Sequence, residues 1–291
     1  MFDRVWRLAL DQMEQGRIPD AVIRAGIRRL LARRLAELGD DPVAAAERVE
    51  AHLQALAASP IAVATDAANA QHYEVPAPFF QVMLGPRRKY SACAWPAGVT
   101  TLAQAEDHSL AETLRRADVQ AGQRVLELGC GWGSLSLFAA ERLPDVRWVA
   151  VSNSASQRAY IEAEADRRGL GNLQVITADA NTFAPPADAG PFDRVVSVEM
   201  FEHMRHWQAL LARIHGWLKP GGRLFVHHFS HWQHPYLFED RGEADWMSRE
   251  FFSGGQMPYD RQLDRCQAHL RVERRWRWSG PDYSRTLEAW L

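Results

Sequence analysis

The sequence predicts an α/β protein: a mainly parallel, doubly wound sheet behind an N-terminal helical cap. Three observations lead there. From Arg124 onward, short apolar runs alternate with helical segments, the pattern of buried parallel strands wrapped by helices. The first run ends in a glycine-rich turn, Gly129-Cys130-Gly131-Trp132-Gly133, that opens a helix. The N-terminal segment shows helical spacing and no strand-like alternation.

The cap comes first. In IPDAVIRAGIRRLLARRLAEL, Ile23, Ile27, Leu30, Leu31 and Leu35 recur at helical spacing. Arg24, Arg28, Arg29, Arg33 and Arg34 make this helix basic. A basic amphipathic helix suits a membrane surface. The solvated face of a cap helix is the simpler reading and is preferred, because charge runs are usually that. Asp41-Pro42 opens a second helix that ends near Ser59-Pro60. From Gln71 to Trp95 the chain is aromatic, broken by Pro76, Pro78 and Pro86, and without periodicity, which predicts a loop-rich lid. Cap and lid thus span residues 1–95, and the sheet domain residues 96–291.

Within the sheet domain a helix is predicted over roughly Leu102 to Arg116. RVLEL (Arg124 to Leu128) is the first strand, followed by helix SLSLFAAERL. RWVAV (Arg147 to Val151) is the second, followed by a helix from Ser156 to Arg168. LQVITA, DRVVSV and RLFVHHF are the third, fourth and fifth. LKPGGR, before the fifth, places glycine just past a helix end. An insertion at about 230–264 precedes RVERRWRW, read as a sixth strand, and SRTLEAWL, read as an amphipathic helix with no stop signal.

Composition excludes several classes. The 291 residues are 47% hydrophobic and 24% charged, an ordinary globular balance. A formal net charge of -2 offers no global attraction to nucleic acid or to an anionic membrane. Cys93, Cys130 and Cys266 lie far apart and form no C-x-x-C pair, so no disulfide or zinc framework is expected and a reducing cytoplasm fits. No apolar run approaches the roughly 18 residues that span a bilayer. The N-terminus lacks the pattern of a signal peptide. His227 and His228 bring no third ligand, so no metal is expected. A homodimer is compatible with the sequence.

The glycine turn is the first functional signal. Glycines at a strand-to-helix junction let the backbone turn tightly and let a ligand approach closely. The spacing is G-x-G-x-G rather than G-x-G-x-x-G, and the second strand ends in Ser152-Asn153 without the acid expected for an NAD ribose. Both features disfavour a dinucleotide and suit S-adenosylmethionine.

E-L-G-C-G-W-G followed by V-A-V-S-N-S-x-x-Q resembles the cofactor-binding region of the cyclopropane fatty acid synthase superfamily. R-I-P-D-A-V-I-R-A-G-I-R-R-L, Q-H-Y-E-V-P, K-Y-S-A-C, S-V-E-M-F-E-H-M and D-W-M-S-R-E-F-F-S-G-G extend the resemblance along nearly the whole chain, toward the coclaurine-type N-methyltransferase branch. The resemblance implies a Rossmann-like class I methyltransferase that uses S-adenosylmethionine on a small, aromatic or cyclic amine. It implies that Tyr90 and Ser91 close over the methionine end of the cofactor, that Glu127, Gly129 and Gly131 line it, that Asn153 and Gln157 hold the ribose or adenine side, and that Asp179 and Ala180 meet the adenine. For Asp179 the simpler alternative is a helix N-cap, and for Gln157 an exposed helix residue. Family members continue beyond the last residue, so the resemblance also predicts a C-terminal truncation.

VSVEMFEHM, Val196 to Met204, sets Glu199, Glu202 and His203 at the carboxyl end of the fourth strand, where ligands of open parallel sheets bind. If the chain turns helical at Glu199, the three side chains share one face. Such a cluster is costly unless something cationic or protic sits in it. The cofactor brings an already reactive methyl, so the enzyme must align the acceptor and free the amine of its proton. His203 with Glu202 is assigned as acid-base pair and Glu199 as ammonium anchor; bracing of the cofactor loop is the simpler alternative for Glu202 and His203. On the acceptor side the expected contacts are Glu199, His227, Phe229, Trp232 and Tyr283. Trp232, Tyr236, Phe238, Trp246, Phe251 and Phe252 of the insertion would roof the pocket, with packing onto the sheet as the alternative.

Cyclopropanation of a lipid alkene is the competing chemistry. The resemblance implies that Glu202, His227 and Tyr283 match the residues that hold a bicarbonate base in the lipid enzymes. Two departures oppose it. Glu199 stands where those enzymes have glycine and would set a carboxylate against an apolar tail; Ala92 stands where they have cysteine. A non-catalytic cofactor-binding module is the third reading, disfavoured by the intact acid-base residues.

Overall fold

The computed structural model of the chain describes residues 2–63, 77–240 and 245–291. The Q-H-Y-E-V-P segment and the middle of the insertion, 241–244, lie outside the described residues. Helices α1 (Phe2–Glu14), α2 (Asp20–Leu38) and α3 (Pro42–Ala57) form the cap. α3 starts where Asp41 and Pro42 predict: the Asp41 carboxylate accepts from Val43 N–H, and proline occupies the first turn, where an N–H would have no helical partner. It buries Ala45, Val49, His52 and Leu56, whereas α2 buries no residue fully.

The lid contains a helix that was not expected, α4 (Ala77–Met83), in a stretch read as loop. Its prolines do not forbid it, because Pro78 sits in the first turn. Phe80 holds it down, buried with Leu84 and Trp132. α5 (Leu102–Arg116) carries a capping box between Thr101 and Gln104.

Strands β1 (Arg124–Leu128), β2 (Arg147–Ser152), β3 (Leu173–Thr177), β4 (Phe192–Val198) and β5 (Leu218–His227) form one parallel sheet in the order β3-β2-β1-β4-β5. The connecting helices α6 (Ser134–Arg142) and α7 (Ala155–Arg168) lie within a residue or two of their expected bounds. α8 (Trp207–Trp217) stops before LKPGGR, which was expected to end it and instead opens β5. One core layer collects Val125, Phe138, Trp148, Ile161 and Val196. The other collects Leu126, Val149, Phe192, Val195, Trp207 and Ile214. Neighbouring strand residues therefore point to opposite faces, both buried, which is why these strands read as continuous apolar runs.

The insertion holds a two-stranded antiparallel ladder, β6 (Tyr236–Leu237) with β7 (Gln256–Met257), and the short helix α9 (Trp246–Glu250). The expected sixth strand is absent among the described residues: 271–279 form no ladder. Side chains hold this segment instead, with the Arg116 guanidinium over the rings of Trp276 and Trp278. α10 (Gly280–Trp290) ends the chain, and Thr286 ties it to the lid by accepting from Cys93 N–H and Trp95 Nε1–H.

Candidate active site

The strand order reverses between β1 and β4, and a cleft opens beyond the carboxyl ends of these strands. On the β1–β2 side its wall is formed by Gly129, Gly131, Asn153, Gln157, Ala178 and Ala180. Gly129 takes a positive φ of 80°, and a Cβ there would lie 2.7 Å from the Met200 side chain. Gly131, at φ 52°, faces open space. A side chain at either position would strain the turn or narrow the cleft. Gln157 is buried; its Oε1 accepts from Ser152 Oγ, while its Nε2 has no partner. A buried amide donor without a partner is costly. Gln157 lines the cleft, so this donor fits a nucleoside ligand that offers an acceptor.

Three expected cofactor contacts point elsewhere. Glu127 does not line the cleft: its carboxyl accepts from Ser136 Oγ and, at 2.8 Å, from Trp148 Nε1 in the layer behind the glycine turn. Burial pushes it up to about 7. It braces the turn from behind, because its strand position faces that layer. Ser91 is buried and accepts from Lys89 Nζ at 2.6 Å. Asp179 closes a local turn, its Oδ1 accepting from Asn181 N–H, while its neighbours Ala178 and Ala180 reach the cleft. Tyr90 borders the acceptor side, its ring packed against Phe80 and Trp290. Residues of the cap that sequence reasoning missed also arrive here. Ala62 pairs with Met204, exchanges hydrogen bonds with the Asn181 side chain, and lines the cleft with Val63.

On the β4–β5 side, Glu199 is not in a helix. It adopts φ 49°, and one 3₁₀ turn, Phe201–His203, follows. Glu199 is nine-tenths buried, and its Oε1 accepts from Ala92 N–H at 2.9 Å. The Tyr283 hydroxyl favours its ionised form. Glu202 is fully buried; its Oε1 accepts from Phe229 N–H at 2.7 Å, and its Oε2 has no partner. The His203 ring stacks on Phe252 at 5.0 Å and borders both halves of the cleft.

The charges follow from these surroundings. Burial raises both carboxyls, but unequally. Lys89, the Ala92 amide and Tyr283 all favour the ionised form of Glu199. Glu202 is raised well above the ordinary range by burial and then by the charge of Glu199. Glu202 is therefore the carboxyl driven further toward its protonated form, and Glu199 the one whose neighbours work against burial in favour of the charge. His227 lies 4.0 Å from Glu199, yet the pair is not ionic, because burial and then Lys89 drive the imidazole down to about 3. Its Nδ1 is unpartnered, and its ring packs against Trp278.

Aromatic side chains surround this cluster. Phe229, Phe238 and Phe252 pack on one another, and Trp232, 69% exposed, stands at the mouth. The cavity on this side runs along β5 to about 2160 Å³, whereas the one on the β1–β2 side holds about 90 Å³, and His203 borders both. Small-ligand sites occupy about 300–1,000 Å³, so only the end around Glu199 describes the acceptor site.

A parallel sheet with a glycine-turn cleft beside a buried carboxylate cluster defines a class I, S-adenosylmethionine-dependent methyltransferase, and the relatives agree. Residues 63–291 match the family described as mycolic acid cyclopropane synthetase, and the chain belongs to that family. It is 35% identical to (S)-coclaurine N-methyltransferase of Thalictrum flavum subsp. glaucum, across 97% of this chain and 78% of the relative. It is 30% identical to the cyclopropane-fatty-acyl-phospholipid synthase of Escherichia coli, across 76% of this chain and 54% of that one. Among solved structures, coclaurine N-methyltransferase bound to N-methylheliamine and SAH superposes with a TM-score of 0.90 at 36% identity, covering 97% of this chain and 81% of the other. A cyclopropane synthase from Mycobacterium tuberculosis gives 0.66 at 26% identity, covering 79% and 82%. No helix among the described residues is long and apolar enough to cross a membrane.

Proposed function

We propose that this protein transfers the methyl group of S-adenosylmethionine to the nitrogen of a small cyclic amine that bears an aromatic ring. The observation that carries the reading is Glu199: a nine-tenths buried carboxyl beside the aromatic wall, held by the Ala92 N–H, with Lys89 and Tyr283 favouring its ionised form against burial. An ammonium ion is the ligand that such a group lacks. The named activities of the N-methyltransferase relatives point the same way.

Gly129, Gly131, Asn153, Gln157 and Ala180 would hold the cofactor, whose bound sulfonium supplies an electrophilic methyl. The remaining work is done by the chain. Glu199 attracts the protonated amine, and the aromatic wall of Phe229, Phe238 and Phe252 favours the cation and its ring. His203, at the junction of the two halves, accepts the ammonium proton and exposes the nitrogen lone pair. Glu202 differs from its expected part in the base. As a neutral acid bonded to the Phe229 amide, it fixes the wall beside Glu199. Excluding water from this end keeps the charges strong and orients the nucleophile.

One observation favours cyclopropanation instead: Glu202 Oε2 and His227 Nδ1 are both buried without a partner, as a site for a small base would require. Mass spectrometry of protein and S-adenosylmethionine with cyclic secondary amines, and separately with cis-unsaturated phospholipid, decides between the two. Methylated amine with untouched lipid is expected. Modified lipid with untouched amine refutes the amine reading.

A further inference from the structure

Lys89 is the one lysine buried to 1% exposure, and neither reading above uses it. Its ammonium donates to Ser91 Oγ and to the Ala92 carbonyl, not to a carboxylate. The N–H of the same residue, Ala92, donates to Glu199. The lysine therefore clamps the turn whose amide holds the anchor. Behind it on α5 stands Glu106, fully buried, which accepts from the N–H groups of Arg87 and Lys89. Gly85 leaves room for that carboxylate: a Cβ there would lie 2.5 Å from it. Glu106, Lys89 and Glu199 are thus linked through the Lys89 and Ala92 backbone into one buried network, which an acceptor ammonium would continue.

We propose that Lys89 is a positioning residue that keeps Glu199 a carboxylate and aims it at the acceptor nitrogen. It acts through the Ser91–Ala92 turn and through its own charge. The inference rests on the amine reading for its consequence, not for its geometry. Every ionisable group facing Glu199 is consistent with a single negative charge there. Cys93 of the lid is a buried thiol held up by burial. Glu202, His227 and Tyr283, from the 3₁₀ turn, β5 and α10, are all driven toward their neutral forms. Lys89 is the cation whose charge favours ionised Glu199. Glu106 meets two opposed influences: burial raises it, while the N–H groups of Arg87 and Lys89 and the Lys89 charge favour its ionised form, which would offset the lysine toward an incoming cation.

Two variants move Glu199 in opposite directions. Lys89→Met removes the cation, so Glu199 binds its proton more readily. The acid limb of kcat/KM for the amine should rise by about one to three pH units. Affinity for SAH should stay unchanged, and Lys89→Arg should restore the limb. Glu106→Gln leaves Lys89 uncompensated and should move the limb to lower pH; it decides the matter if Lys89→Met does not fold. A brace of purely structural kind would lower stability and leave the limb in place, and that result overturns the proposal. In parallel, carbon NMR of glutamate-labelled protein, with Glu199→Gln as the assignment control, follows the carboxyl directly. If the wild type methylates no amine, the amine reading has failed, and the NMR titration alone decides for Lys89. An unmoved Glu199 resonance overturns it.

Discussion

Glu199→Gly separates stability from function at one position. Glu199 sits at φ 49°, a left-handed conformation that costs an ordinary residue about 1–2 kcal/mol and glycine almost nothing. Substitution also relieves the burial of a charge. Against this, the Ala92 N–H loses its acceptor, which costs about 1–3 kcal/mol unless water enters the vacated space. The two sides nearly cancel, so stability should change by no more than about 1 kcal/mol, a few degrees in Tm. Amine binding has no such compensation. A hydrogen-bonded ion pair contributes about 1.5–3 kcal/mol, so amine kcat/KM should fall roughly ten- to a hundredfold. The assay is calorimetric melting beside amine saturation kinetics, with SAH affinity as the control for an intact cofactor cleft. Unchanged amine kinetics would refute the anchor. A loss of several kcal/mol in stability would show that the carboxylate holds the fold rather than the substrate.

The other predictions concern the neighbours. His203→Ala should lose most activity near neutral pH and recover as pH rises toward the range where the amine is already unprotonated; a loss equal at every pH would remove His203 as base. Glu202→Gln keeps an acceptor for the Phe229 amide and the neutral state that burial imposes, so turnover should fall less than in Glu202→Ala; equal losses would require an ionised Glu202. Gln157→Leu should weaken SAH binding about fivefold by calorimetry, through loss of the unpartnered donor; an unchanged Kd would place that amide outside the cofactor site. Glu127 gives a stability test. Between pH 4.5 and about 7 the folded state holds a proton that the unfolded state has lost, so stability falls as pH rises through that window. Glu127→Gln should abolish this slope and stabilise the fold more at pH 8 than at pH 5, by up to about 3 kcal/mol in unfolding free energy; an equal change at both would contradict the buried, protonated carboxyl.

Much of the fold was legible because its signals are local. Alternating apolar runs reflect strands buried on both faces, and a glycine turn between strand and helix needs only contiguous residues. The Asp41-Pro42 start of α3 and the five strands of the sheet follow from such signals. The sixth strand failed because a ladder needs a partner in register. RVERRWRW has strand-like composition, yet its tryptophans pair with Arg116 instead. The lid helix was hidden because Phe80 is fixed by Trp132, a residue of the glycine turn far along the chain.

The same division holds at the site. The sequence placed Glu199, Glu202 and His203 just after β4, and it singled out Gly129, Gly131 and Gln157, which line one cavity, and His227 and Tyr283, which line the other. Motif residues close in sequence stay close in space. Tertiary structure decided which carboxyl is raised further, where Glu127, Ser91 and Asp179 point, and that Lys89 clamps the turn beside Glu199. Those properties depend on desolvation and on charges brought together from distant segments, as when Ala92 meets Glu199 across 107 residues. A proton's affinity for a buried group is a sum over its neighbours in space, and only the folded chain assembles that sum.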